Sequence, residues 1–126
     1  MPYQGMEFHT VENFYQAMKT TDVNERRKIA QMNPYEAKKY ARSVDLRQNW
    51  DTIKLDVMEY ALRHKFAAGT AWHQKLITFE DDIVFVERNN WHDTYWGKCV
   101  CERCDNQGEN HLGKILTKIH ASLAQW

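Results

Sequence analysis

The stretch WDTIKLDVMEYALRHKFAA, residues 50–68, sets the fold class. Leu55, Met58, Leu62 and Phe66 recur at helical spacing, and Trp50, Ile53, Val57 and Ala61 form a second stripe beside them. Two adjacent apolar stripes give a helix a broad buried face, which predicts a central helix. Asn49 or Asp51 can cap its start, and Gly69 ends it.

Helical punctuation continues on both sides. Thr10 is a fitting N-cap for a helix that carries Val11, Phe14, Tyr15 and Met18 and runs to about Thr20 or Thr21. Asn24 can cap a second short helix with Ile29, Ala30 and Met32 as its apolar positions. Asn33-Pro34 reads as cap plus first helical residue, because proline loses nothing where the N–H is unpaired anyway. The helix that follows turns Ala37, Tyr40 and Ala41 inward and Lys38, Lys39 and Arg42 outward. Thr70 caps a short helix to Leu76 or Ile77, and a last one runs from about Asn110 to Ala124 with Leu112, Ile115, Leu116, Ile119 and Leu123 as its apolar face. Ile83-Val84-Phe85-Val86 reads as a buried strand. Residues 89–108 keep no period and form a long loop rich in Trp, His, Asp and Cys. The expectation is one α+β domain over residues 1–126, predominantly helical with a small β element.

Composition excludes several classes. Of 126 residues, 43% are hydrophobic and 27% charged, with five glycines and two prolines, a globular mix rather than a disordered or fibrous one. Seventeen basic residues balance seventeen acidic ones, so a strongly electropositive nucleic-acid surface is not the main activity. No stretch reaches the roughly 20 apolar residues of a membrane span, and Met1-Pro2-Tyr3-Gln4-Gly5 has no signal-peptide pattern. The three cysteines lie within six residues and do not resemble a disulfide framework. The cytoplasm is the expected compartment, with no membrane partner. Of the five tryptophans (Trp50, Trp72, Trp91, Trp96 and Trp126), some are expected to line a pocket.

Four segments can carry chemistry. Glu12 shares a helix face with Tyr15 and Lys19, so a carboxylate, a phenol and an ammonium can line one wall and suit acid–base work; a solvated face is the plain alternative. Asp93-Thr94-Tyr95-Trp96-Gly97 can stack a base while its carboxylate addresses a sugar, or can simply pin a loop to the core. Gly108 to Gly113, with Asn110 as N-cap, places glycines at a helix N-terminus, which suits a phosphate or else an ordinary tight packing. Cys99-x-Cys101-x-x-Cys104 half-matches a zinc pattern; His92 and His111 are the nearby candidates for a fourth ligand, and reduced thiols are the expectation. His9, His64, His73 and His120 are expected in capping or surface contacts, and Arg26-Arg27-Lys28 and Lys38-Lys39 on solvated helix faces.

Taken in order, these segments resemble the NADAR, or YbiA-like, family across nearly the whole chain. The matching pieces are Thr10 to Lys19, Asn33-Pro34-x-x-Ala37-Lys38, Trp50-Asp51-x-x-Lys54, Met58 to Lys65-Phe66, Asp93-x-x-Trp96-Gly97, and Gly108-x-Asn110-x-x-Gly113-Lys114-Ile115-Leu116. The resemblance implies a compact α+β domain with N-glycosidase activity. It also implies a substrate among the phosphorylated N-ribosyl aminopyrimidines of early riboflavin synthesis or, as for some members, ADP-ribose attached to guanine. By the same resemblance Glu12 is the leading acid/base residue, and Asp93 holds the sugar or stabilises positive charge at C1′. Trp50 and Trp96-Gly97 frame the base, while Lys19 and the Asn110 helix end meet phosphate. No metal or redox cofactor is implied. The partner is a small ribosyl phosphate or ADP-ribosyl substrate, with nucleic acid only as modified substrate. A binding module for ADP-ribose or a related nucleotide, without turnover, is the alternative. The Leu-Ser-Asn-Phe-Tyr-Pro-like strand usual in the family before the stretch matching Pro2-Tyr3-Gln4-Gly5 has no counterpart here, so one pocket wall is expected to be missing or supplied otherwise. The Cys-rich loop also departs from glycine-rich versions in the family.

Overall fold

The computed structural model describes residues 1–123; Trp126 and the predicted helix end at Ala124 lie outside the described residues. The chain forms two compact units, Met1–Lys65 and Phe66–Trp126, each described by itself below. Among the described residues helices dominate, with two two-stranded sheets, so the architecture is α+β.

The first unit opens with an antiparallel hairpin, β1 (Pro2–Tyr3) and β2 (Met6–Glu7), with Tyr3 opposite Met6. Gln4 and Gly5 both take positive φ, 47° and 77°, as a two-residue turn between right-twisted strands demands. Four helices follow: α1 (Val11–Ala17), α2 (Val23–Gln31), α3 (Pro34–Tyr40) and α4 (Trp50–Lys65). The predicted caps at Thr10 and Asn33 are in place, accepting from the amides of Asn13 and Glu36. At α2 the cap is Asp22 rather than Asn24; its carboxylate takes the N–H groups of both Asn24 and Glu25.

The central element is α1, not α4. It packs against α2, α3 and α4, and every residue from Asn13 to Met18 is buried. Its ladder stops at Ala17, short of the predicted Thr20, because Lys19 and Thr20 donate to the carbonyls of Gln16 and Ala17 in tighter closing turns. Along α4 only Trp50, Met58, Ala61 and Leu62 are buried, Leu55 is exposed, and the helix ends at Lys65 rather than Ala68. Phe14 anchors the core, with the rings of Tyr3, Phe8 and Tyr60 at 5.2, 5.5 and 5.7 Å.

Asn13 ties the helices together from a fully buried position. Its amide donates to the carbonyls of Ile29 (3.0 Å) and Met32 (2.7 Å), the open end of α2, while its oxygen accepts from Thr10 Oγ1. Asn13→Ala would leave the half-buried Met32 carbonyl without this donor and the buried Ile29 carbonyl with the Met32 N–H alone, and urea unfolding should show a loss of about 2 kcal/mol. Arg26 is likewise buried rather than solvated, its Nε donating to the Thr20 carbonyl at 2.8 Å.

The second unit holds α5 (Ala71–Leu76), capped by Thr70 as predicted, then β3 (Arg88–Asn89) beside β4 (Lys98–Cys99) in parallel, and α6 (His111–Leu123). Ile83–Val86 is not a strand. Its residues alternate half-buried and exposed, and side chains hold it in place of a neighbouring backbone: Phe85 N–H donates to Thr117 Oγ1 of α6 at 2.8 Å, and its carbonyl accepts from Asn110. His120 is a core residue, not a surface one, with its Nε2 3.1 Å from the Phe79 carbonyl and its ring 5.5 Å from Phe85. No helix among the described residues is long and apolar enough to cross a membrane.

Candidate active site

In the first unit, Glu12, Lys19 and Trp50 meet around Tyr15. The helical repeat of α1 sets Glu12, Tyr15 and Gln16 on adjoining positions, with Lys19 one turn beyond. Glu12 is half-buried, and Gln16 Nε2 donates to its Oε1 at 2.9 Å. Lys19 Nζ lies 5.5 Å from the centre of the Tyr15 ring, and Trp50 meets that ring edge-on at 5.0 Å. Trp50 is buried, so it backs this wall rather than standing clear of it. Burial lowers the pKa of the Lys19 ammonium below the ordinary 10.5 of lysine, with Glu12 acting in the opposite sense.

Sequence reasoning passed over Gln16. Its side chain is buried, one end orients Glu12, and its Oε1 is a buried acceptor without a hydrogen-bond partner. A buried amide oxygen normally has a donor, so this one offers an acceptor to an incoming N–H or O–H. The readable signal was the i, i+4 spacing from Glu12.

In the second unit, Asp93, Trp96, Gly97 and Asn110 gather where the loop after β3 meets the start of α6. Asn89 grips both sides of the first turn: its Oδ1 accepts from Asp93 N–H, and its Nδ2 donates to the Asp93 carbonyl and to Glu87. Asp93 Oδ1 accepts from the amides of Tyr95 (3.1 Å) and Trp96 (2.9 Å), while Oδ2 has no hydrogen-bond partner among the described residues. One carboxylate oxygen thus shapes the loop and the other is available. Trp96 stands edge-on to Tyr95, whose ring is 4.9 Å away, and Tyr95 in turn lies 4.5 Å from His111.

Two glycines here are required by close approach. A Cβ on Gly97 would lie 2.3 Å from the Glu87 carbonyl and 1.6 Å from its carboxylate; one on Gly113 would lie 2.3 Å from the Phe85 carbonyl. The free-amide cradle expected at the α6 N-terminus is not formed. The N–H groups of Glu109, Asn110, His111 and Leu112 donate to the carbonyls of Thr94, Gly97, Tyr95 and Trp96. Asn110 sits at φ 57° rather than in the extended geometry of an N-cap, and its side chain clamps the 85–87 segment. Donors already paired inside the fold are not available to a phosphate.

The three thiols lie beside this loop. Cys99 is buried, and Cys101 and Cys104 are half-buried. The Cys104 backbone N–H holds the Cys101 thiol down to about 6, and donating its own proton to the Cys101 sulfur pushes the Cys104 thiol up to about 11. A polar hollow of about 460 Å³ between Thr20–Glu25 and Ser43–Asp45 contains none of the residues named above as candidates.

Residues 1–124 match the family model described as the NADAR domain. The N-glycosidase YbiA of Escherichia coli K12 is 31% identical over 123 residues, spanning 95% of this chain and 73% of that protein. An N-glycosidase of Nostoc punctiforme is 31% identical over 126 residues, covering 95% of this chain and 77% of its own. A riboflavin biosynthesis protein of Vibrio vulnificus is 29% identical over 118 residues, which is 90% of this chain and 30% of the larger protein. The NMR structure of E. coli YbiA resembles this one with a TM-score of 0.80, over 97% of this chain and 71% of that one.

Proposed function

Since the chain belongs to the NADAR family, whose members include N-glycosidases, we propose that it hydrolyses the bond between a base and C1′ of a phosphorylated ribose, with Glu12 as its acid/base residue. The observation that carries this reading is the Glu12 carboxylate oriented by buried Gln16, with a half-buried ammonium on the next turn. N-glycoside hydrolysis passes through an oxocarbenium-like state, so it needs negative charge near the anomeric carbon and a group that moves a proton. The C1′–N bond breaks, water supplies the oxygen that joins C1′, and its proton passes to Glu12. The leaving nitrogen takes up a proton as it departs. Nothing is oxidised or reduced.

The remaining residues have the following parts. Lys19 pairs with the phosphate. Trp50 holds the Tyr15 wall behind Glu12 and Lys19. Asp93 and Trp96, in the second unit, are assigned to the sugar and to the base by the family resemblance alone. Gly97 and Asn110 keep the Trp96 loop in shape. The substrate class is the phosphorylated N-ribosyl aminopyrimidines, which the riboflavin biosynthesis names among the relatives support. The zero net charge favours a small molecule over a nucleic acid, whose binding leans on phosphate neutralisation.

Turnover separates this reading from a nucleotide-binding module. With substrate in large excess, release of ribose 5-phosphate should exceed one equivalent per chain many times over. Binding without release would establish the module instead. Trp96→Ala should weaken base-bearing ligands more than ribose 5-phosphate; equal losses by calorimetry would assign Trp96 to structure alone. The pH dependence has a definite sign as well. The Lys19 ammonium is present below its pKa, so the KM for a phosphorylated substrate should rise as pH climbs through a range below 10.5. Lys19→Gln should flatten that rise, and an unchanged profile would remove Lys19 from the phosphate.

A further inference from the structure

We propose that His92, Cys99, Cys101 and Cys104 form a structural zinc site that fastens the loop carrying Asp93 and Trp96. The sequence shows three cysteines and leaves the fourth ligand open between two histidines. The fold chooses His92. Pairing of β3 with β4 sets Cys99 beside Asn89, and the Asn89 bracket on Asp93 turns the intervening residues back toward it.

The four donor atoms all lie within 4.8 Å of one another. His92 Nδ1 is 3.3 Å from Cys104 Sγ, 3.4 Å from Cys101 Sγ and 3.7 Å from Cys99 Sγ. A tetrahedral zinc with ordinary Zn–S and Zn–N bonds requires N···S edges of about 3.6 Å and S···S edges of about 3.8 Å. The three N···S edges meet that requirement from three directions at once.

The local backbone has the features of a metal knuckle. Cys101-x-x-Cys104 forms a turn in which the Cys104 N–H donates to Cys101 Sγ at 3.4 Å, an outer contact that orients a thiolate. Asp105 N–H and Gln107 N–H close the next turns onto the carbonyls of Cys101 and Cys104, and Cys99 N–H donates to Gln107. His92, Asp105 and Asn106 all take positive φ, 68°, 52° and 60°. Asp, Asn and His are the non-glycine residues that adopt this region most readily, and here they make the tight turns that bring the four side chains together.

Four protein ligands leave no open position, so the site is structural rather than catalytic. Thiolates select zinc over harder cations, and each cysteine gives up its proton on binding. A small unit has reason to use such a staple. The buried apolar side chains of the second unit, among the described residues, are few: Leu76, Cys99, Ile115 and Ile119. The expectation of no metal therefore gives way to a zinc that takes no part in bond cleavage. The inference stands apart from the glycosidase reading, since its readouts do not involve turnover.

The test is elemental analysis of the full chain, purified without chelator, together with thiol titration. One zinc per chain is expected, with the three thiols unreactive until a strong chelator is added. Replacing zinc by cobalt should produce the visible absorption of a tetrahedral thiolate site in the unsubstituted protein, a readout that needs no variant to fold. His92→Cys should keep the metal as a four-thiolate site, whereas Cys104→Ser should lose it. Metal below about 0.1 per chain with three freely reactive thiols, after zinc has been offered, would overturn the proposal. So would a disulfide between two of the cysteines, or iron in place of zinc.

Discussion

Glu12→Gln should lower kcat by roughly a thousandfold, about 4 kcal/mol in the barrier, while leaving the binding constant for substrate nearly unchanged. The substitution is nearly isosteric and keeps the oxygen that accepts from Gln16 Nε2, so α1 and its buried face stay as they are. What it removes is the capacity to take up and release a proton, and the negative charge beside the forming oxocarbenium. Thermal unfolding should therefore match the unsubstituted protein even though turnover is lost. Gln16→Leu should produce a smaller loss in kcat, because Glu12 would remain but without its positioning donor. A Glu12→Gln protein that turns over at the original rate would remove Glu12 from the chemistry.

Gly113→Ala should destabilise the protein by about 3 kcal/mol, the opposite of what helix propensity alone gives. In an exposed helix the change would gain about 1 kcal/mol, since alanine is the better helix former. Here a Cβ would lie 2.3 Å from the Phe85 carbonyl and 2.3 Å from the Asn110 amide oxygen. One of those neighbours is backbone and cannot swing aside. To admit the methyl group, the 85–87 segment must leave α6, and the bonds that Asn110 donates to the Phe85 carbonyl and accepts from the Glu87 N–H then break with it. Denaturant unfolding measures the outcome directly, and a Gly113→Ala protein as stable as the original would show that the segment is free to move.

Gly113 also shows what could be read before the structure was in hand. A glycine inside the first turn of a helix signalled that something needed its missing side chain, but not what. The need is packing against Phe85 rather than room for a phosphate. Caps at Thr10, Asn33 and Thr70 were legible because a short polar side chain next to an apolar period has one mechanism. At α2 the expected cap, Asn24, lies two residues inside the true one, since Asp22 caps equally well and its carboxylate reaches the N–H groups of Asn24 and Glu25. Periodicity misplaced the core helix: α4 has the broader apolar stripes, yet α1 is buried by its neighbours on several sides, polar Asn13 and Gln16 included. Ile83–Val86 read as a strand because its composition suits one, but the hydrogen-bond partners that would make it one are the side chains of Thr117 and Asn110.

The chemistry divides in the same way. Glu12 and Lys19 shared a predicted face because helical spacing is local information. The pairing of His92 with three cysteines depends on a parallel contact between β3 and β4, which no spacing rule reports. Arg26 and His120 read as surface groups and are buried, Arg26 Nε donating to the Thr20 carbonyl across the turn before α2 and His120 Nε2 lying beside the Phe79 carbonyl far along the chain. The His120 contact is invisible to a window of neighbouring residues.

The central claim is hydrolysis of an N-glycosidic bond, and mass spectrometry of the reaction products tests it most directly. The full chain would be incubated with excess N-ribosyl aminopyrimidine 5-phosphate, alongside its Glu12→Gln form. Free aminopyrimidine and ribose 5-phosphate should appear in equal amounts, over many turnovers, with the unsubstituted protein alone. Intact substrate after prolonged incubation, with the ligand demonstrably bound, would contradict the account.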